Sequence, residues 1–402
     1  MRIQIRHFKN YKYLQFLILT VFSFVFPFYI SETNMLNLSF VIVEIPLIIL
    51  VILCINNKRL KRDKTFICLL LIYVIFFLYV DIAYLDCYWA LIYKTFSFFL
   101  LWNIETLEKQ KLGTIRGFSE EFTDSIIIIF SFTVVLSLVA NIIGIDAVFL
   151  DLQSFHIRSS NSGVFLDKRL TWVFMHKSTY GLLLILGLAL LMKRKNFPYR
   201  KIFIILYFIA GIRVNSMVSI VGLCMVMFAY FLETKSMNRK KFIKLLIVIV
   251  VGAIVAGVIY FIVALERNLS SLGDRAYIWG IYGESLRQYP YGLGKDFFTQ
   301  KFWLPEAGRY INNFHNVIFN EMIHYSIPVG LLFTAMIFYY PIKYIVKNKC
   351  KMKNIVLLVG IMLPTFFDQA LNDLIFPIFL IMIKLCFSNY NECFSTKENI
   401  KF

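Results

Sequence analysis

Apolar residues occupy long blocks along this chain, and short polar segments separate them. Runs of about 17–25 apolar residues match the length a helix needs to cross a bilayer core. The pattern predicts helices over 14–30, 36–55, 65–81, 88–104, 122–143, 176–192, 201–212, 216–232, 242–263, 316–340, 355–367 and 371–388. Within 201–232, two short helices are expected to meet near Arg213 to Ser216. The prediction is an all-α, polytopic integral membrane protein of about 12 transmembrane helices, in a single domain over 1–402. The basic stretch 1–13 precedes the first apolar run without a small-residue cleavage site after it, so that run reads as a membrane helix rather than a cleaved leader.

Composition agrees. The chain is 59% hydrophobic, above the roughly half expected of a soluble domain, with a mean hydropathy of +0.71. The net charge of +18 raises the question of nucleic acid. The charges fall in short clusters between apolar runs, with no long basic tract and no nucleic-acid motif, so no nucleic-acid partner is expected. With the N-terminus inside, 29 of the 42 Lys and Arg fall in segments assigned to the cytoplasm and 10 in segments assigned outside. That bias predicts both termini cytoplasmic. It leaves a smaller external loop at 144–175 and a large one at 264–315, between the ninth and tenth spans. Of seven cysteines only Cys87 reaches the outer face in this map, so packing rather than an internal disulfide must hold the outer loops. No cysteine pair has zinc-site spacing.

Candidate chemistry concentrates in the large loop. A helix is expected to begin near 270–274 and to carry Ile278, Trp279, Ile281, Tyr282 and Leu286 at helical spacing until Pro290 stops it. Arg275 would lie in its first turn, where free N–H groups and the positive dipole end favour an anion. A guanidinium there can grip two oxygens of a phosphate or diphosphate. The structural alternative is an ion pair between Asp274 or Glu284 and a nearby arginine. "YGLGKD" lacks P-loop spacing and reads as a turn.

In "NNFHNVIFNEMIHYSIPVG", Asn312 or Asn313 is expected to cap the tenth span and to put His315 in its first turn. An imidazole beside a helix N-terminus is suited to general-base work; the alternative is a hydrogen-bonded interfacial histidine. Glu321 and His324 make a Glu-x-x-His step, weak as a metal signature in one copy, and Glu321 within an apolar run demands a partner. Arg213 stands where two helices meet, facing a cavity or snorkelling to the surface. "DKRLTWVFMHKSTYG" places Lys168, Arg169, His176 and Lys177 just outside the sixth span.

Taken together, these elements resemble the O-antigen ligase and polymerase superfamily of bacterial membrane glycosyltransferases. The likeness is carried by Arg275, Trp279, Pro290, Gly292, Gly294, His315, Asn316 and Gly330 over 272–331, with "FMHKSTYG" as a further family-like step. The resemblance implies an enzyme on the outer face of the bacterial plasma membrane that uses an undecaprenyl-diphosphate-linked oligosaccharide as donor, without metal, nucleotide or other cofactor. It assigns Arg275 to the diphosphate and His315 to the acceptor hydroxyl. Arg169, Lys177, Asn316 and Glu321 are candidate supporting residues. The family's Ser-Arg step opening the eighth span is altered: "NSMVS" puts Met217 at the arginine position, and Arg213, four residues earlier, is the candidate replacement as a second diphosphate ligand. The expected activity is repeat-unit polymerisation for capsule, O-antigen or a related surface polymer. Membrane lipid, a flippase and a chain-length regulator are the implied partners. A ligase moving finished glycan to a lipid or protein acceptor, and a lipid-linked-oligosaccharide flippase or other transporter, are the alternatives.

Overall fold

The computed structural model describes residues 63–80, 82, 88–108, 118–151, 156–160, 169–174, 176–232, 274–348, 351–371 and 375–388. The expected helices at 14–30, 36–55 and 242–263 lie outside the described residues. Within them the chain is mostly helical, as the apolar blocks predict. The helices are α1 Lys64–Val80, α2 Tyr88–Glu108, α3 Phe118–Ile142, α4 Lys177–Lys193, α5 Arg200–Val214, α6 Met217–Phe231, α7 Arg275–Gln288, α8 Val317–Tyr325, α9 Ile327–Lys347, α10 Lys351–Phe367 and α11 Phe376–Cys386. Phe122–Ile142 and Ile327–Lys347 are long and apolar enough to cross a membrane; shorter apolar helices lie at Lys64–Val80, Ala90–Ile104, Met217–Phe231 and Phe376–Cys386.

The all-α expectation needs two corrections. The segment 144–175 holds a hairpin of β1 Ala147–Asp151 and β2 His156–Ser160, and the segment 264–315 holds one of β3 Phe302–Leu304 and β4 Arg309–Ile311, both antiparallel. The single span expected at 316–340 is two helices. Ser326, at φ 104°, breaks the chain between α8 and α9, and Pro328 stands in the first turn of α9, where its missing N–H costs no helical bond.

α4 is the centre of the bundle. Every residue from Ser178 to Lys193 is buried, which fits a helix apolar on all sides. α5, α6, α10 and α11 pack around it, and α6 also lies along α10. The α6–α10 approach is close because two glycines meet: a Cβ on Gly222 would sit 2.9 Å from the Gly360 carbonyl oxygen. The outer faces are apolar and mostly aliphatic. Ile202, Ile205, Ile209 and Ile212 make an exposed stripe along α5, and Ile128, Phe132 and Val139 do so on α3. Continuous apolar faces of this kind suit a hydrocarbon surrounding.

Polar groups gather at the two ends of α4, roughly 25 Å apart for a helix of this length. At its C-terminal end the Lys193 ammonium donates to the carbonyls of Leu385 (2.6 Å) and Ser388 (2.7 Å), and Arg194 makes a two-point pair with Asp124. Its N-terminal end carries the site described next.

Candidate active site

Residues 274–325 build a small aromatic-rich unit against the bundle. Ile278, Phe297, Phe302, Leu304, Ile311, Phe314 and Ile323 form its buried core, separate from that of the bundle. Tyr282 stacks on Phe319 with ring centroids 3.9 Å apart, joining α7 to α8. The "YGLG" segment is a turn, as expected. Gly292 has φ +87°, and a Cβ there would lie 2.7 Å from the His324 carbonyl oxygen, so both the dihedral and the close approach select glycine. Leu293 N–H then donates to the Ile323 carbonyl at 2.8 Å. The motif glycine therefore docks the loop onto the helix that follows His315.

His315 is held by its neighbours in sequence. Its φ is +47°, uncommon for a residue with a Cβ and a conformation that persists only when its surroundings impose it. Asn313 Oδ1 accepts from its backbone N–H at 3.0 Å, and the preceding Phe314 N–H donates to Asn320 Oδ1 at 2.9 Å. Asn316, not Asn312 or Asn313, caps the helix: its Oδ1 accepts from Ile318 N–H (2.9 Å) and Phe319 N–H (3.1 Å). His315 therefore stands one residue before the cap rather than in the first turn. Asn316 is accounted for as a capping residue.

The residue that organises the site is Asp368, just past the end of α10, which the sequence reading missed. Its side chain is 6% exposed. His315 Nδ1 lies 3.1 Å from Oδ1, and Gln369 N–H donates to the same oxygen at 2.9 Å. The Ser178 hydroxyl, in the first turn of α4, donates to Oδ2. An ionised carboxylate only accepts, so the His315 proton sits on Nδ1, and in the neutral ring Nε2 carries the lone pair. Burial by itself would raise the Asp368 carboxyl. The hydrogen bond from His315, the nearby His176 and the Ser178 hydroxyl outweigh it and hold the group well below the usual carboxylate range.

Arg275 opens α7, as expected. Its Nε donates to the Phe367 carbonyl at 2.5 Å and its Nη2 lies 3.8 Å from Asp368 Oδ2, with 22% of the side chain exposed. The anticipated structural pairing of Asp274 with an arginine exists, with Arg309 at 2.8 Å. Trp279 ties the parts together. Its Nε1 donates to the Phe314 carbonyl at 3.1 Å, and its ring packs on Phe367 at 5.5 Å. His176 caps α4, its Nδ1 accepting from Ser178 N–H at 3.3 Å. Burial lowers its pKa, Asp368 opposes this, and Lys177, His315 and Arg169 lower it further. Arg169 and Lys177 thus lie within electrostatic reach of this end of α4.

Two candidates are placed elsewhere. The Arg213 guanidinium donates from Nε to Asn141 Oδ1 at 2.6 Å, and Asn141 donates to Asp146. The Arg213 backbone carbonyl accepts from Leu170 N–H at 3.1 Å, next to Arg169, and the residue is exposed. Glu321 receives both of its 2.6 Å contacts from the Lys94 ammonium on α2. His324, the other half of the Glu-x-x-His step, stacks between Phe297 and Tyr325. Among the described residues, no three His, Cys, Asp or Glu side chains are grouped to hold a metal ion. No family model, curated protein or solved structure matches this chain.

Proposed function

We propose that this chain is a polysaccharide repeat-unit polymerase. It would span the bacterial plasma membrane about twelve times with both termini in the cytoplasm, and act at the outer face on undecaprenyl-diphosphate-linked oligosaccharides. The observation that carries the reading is the shared carboxylate: Asp368 holds His315 Nδ1 at 3.1 Å and has the Arg275 guanidinium 3.8 Å away. A base and an anion-binding fork thus sit side by side at one end of an apolar bundle. The opposite end of α4 carries Lys193 and Arg194, in a segment that the Lys and Arg bias of the sequence assigns to the cytoplasm.

In the proposed step, His315 Nε2 takes the proton of an acceptor sugar hydroxyl. The hydroxyl oxygen forms a bond to the anomeric carbon of the donor sugar. The bond from that carbon to the diphosphate breaks, and the lipid diphosphate leaves with the electron pair. Arg275, with Arg169 and Lys177 nearby, stabilises the leaving charge. Asp368 stabilises the imidazolium that forms and fixes the ring. Glu321 has no part in this step, because Lys94 holds it. Arg213, exposed and bonded through Nε to Asn141, is the second candidate diphosphate ligand in this proposal.

The test is polymer length in cells. His315→Ala should abolish long-chain polymer at normal protein abundance, since base catalysis is worth roughly 10²–10⁴-fold. Arg275→Lys should rescue poorly relative to Arg275→Ala, because an ammonium is not a fork. Full-length polymer from His315→Ala would remove the reading.

A further inference from the structure

The β3–β4 hairpin presents a surface that the proposed step does not use. Its register pairs Trp303 with Tyr310. Phe302, Leu304 and Ile311 point into the buried core of the 274–325 unit, so strand alternation puts Trp303 and Tyr310 on the opposite face. Among the described residues they are 48% and 61% exposed. Their ring centroids lie 4.9 Å apart with planes inclined at 57°, so the two rings make adjoining, tilted aromatic faces.

The surroundings of that surface are exposed and mixed in charge. Lys301, Pro305, Glu306, Gly308 and Arg309 are all exposed. Arg309 pairs with Asp274 at 2.8 Å, with side chains 56% and 30% exposed. The exposed apolar side chains of the bundle helices are, by contrast, mostly aliphatic, such as Ile75, Ile128, Ile205 and Val346. A pyranose ring has an apolar C–H face that stacks on an aromatic ring, and a rim of hydroxyls that planar charged side chains can hydrogen-bond. Large rigid aromatics supply such contact at low entropic cost. The platform is also joined by the chain to the site. β4 ends at Ile311, four residues before His315, and Asp274 directly precedes Arg275.

We infer that Trp303 and Tyr310 form a stacking platform for sugar rings of the acceptor glycan, with the Arg309–Asp274 pair at its edge, so that the chain lies across the hairpin as its reacting hydroxyl meets His315. The inference rests on the glycan reading above and adds to it the surface that holds the acceptor. A bilayer headgroup region is the competing occupant, because Trp and Tyr also favour that environment.

The experiment uses full-length protein in detergent. The probe is lipid-free oligosaccharide released by mild acid from the host cell's own lipid-linked glycan, titrated by calorimetry. Trp303→Ala and Tyr310→Ala should each bind it roughly tenfold more weakly, while Trp303→Phe, which keeps a stacking ring, should stay near the unsubstituted protein. Equal binding by both alanine variants would overturn the platform and leave the polymerase reading standing. No binding by the unsubstituted protein, together with polymer made by His315→Ala cells, would overturn both. In vesicles of dibrominated phosphatidylcholine, Trp303→Phe should leave the amount of tryptophan emission that bromine quenches unchanged. A quenched amount that falls when Trp303 is replaced would put the platform in the bilayer and overturn the inference.

Discussion

Two ionisable groups stand six residues apart in one segment, and the fold treats them in opposite ways. Glu321 lies against Lys94, with side chains 14% and 3% exposed, and the ammonium also sits 4.2 Å from the Tyr325 ring centroid. His315 leans on Asp368, with side chains 36% and 6% exposed. The first pair is nearly closed: carboxylate and ammonium face each other, and the ammonium also lies over aromatic rings, so the pair fixes how α2 meets α8. The second is open on one side. Its buried member is the orienting carboxylate, and its exposed member is the group able to move a proton. A charge in an apolar helix is therefore a poor guide to chemistry by itself. What separates the two regions is asymmetry of exposure within a hydrogen-bonded set.

The comparison breaks most visibly at Glu321. Glu321→Ala leaves the Lys94 ammonium buried without its carboxylate, which costs about 3–5 kcal/mol for a pair of this burial. The expected outcome is loss of folded protein from the membrane fraction, measured by thermal aggregation of detergent extracts. The double variant Lys94→Met, Glu321→Leu should recover much of that stability, since an apolar pair of similar volume is often neutral. It should also recover polymer synthesis. Stable protein from the double variant that makes no polymer would show that Glu321 belongs to the chemistry after all.

Asp368 should behave in the reverse manner. Asp368→Asn keeps the shape, but an amide nitrogen can donate to His315 Nδ1 and move the ring proton to Nε2, where the base is needed. Polymerisation should fall roughly 10²–10⁴-fold with folded protein retained. Stability against pH gives a second readout. The Asp368 carboxyl is held below its ordinary value, so the stability it contributes is fully present above its unfolded-state value of about 3.9 and is lost as pH falls through the folded-state value. Thermal melts of the unsubstituted protein should therefore decline on the acid side, and Asp368→Asn should lack that part of the decline.

Much of the bundle is legible in the sequence because apolar blocks of helix length have few other uses. α1, α2, α3, α4, α5, α6, α10 and α11 fall close to where the blocks predict them, and the turn at Asn215 lies where the two short helices were expected to meet. The break at Ser326 is hidden because α8 and α9 are both apolar; Pro328 was the local signal. The β3–β4 hairpin is hidden because its strands are three residues long, although Phe302, Trp303 and Leu304 alternate buried and exposed. The site was half legible. Arg275 and His315 carry local signals, one at a helix start and one beside an asparagine cap. Asp368 does not, because it is 53 residues from His315 in sequence and sits at a helix end counted for its lack of Lys and Arg. The partner of Glu321 is 227 residues away, so only the fold could name Lys94.

The smallest effect is expected at a pair that resembles the first by chemistry and the second by location. Asp274 and Arg309 approach to 2.8 Å, as close a contact as many buried pairs make, but water reaches both side chains. Exposed ion pairs contribute about 0–1 kcal/mol, because solvent screens the attraction and two side chains must be ordered to make it. Arg309→Ala should thus shift the melting temperature little, and less in high salt than in low salt. Asp274 precedes the first residue of α7, at φ 69° and without a side-chain cap bond, so its carboxylate is not what starts the helix. Arg275 should keep its bond to the Phe367 carbonyl when the pair is lost, and polymer of some length should still form. A melting temperature lowered as far as in Glu321→Ala would mean that the pair holds the hairpin to α7 rather than decorating its edge, and exposure would then be the wrong criterion for telling structural pairs from the rest.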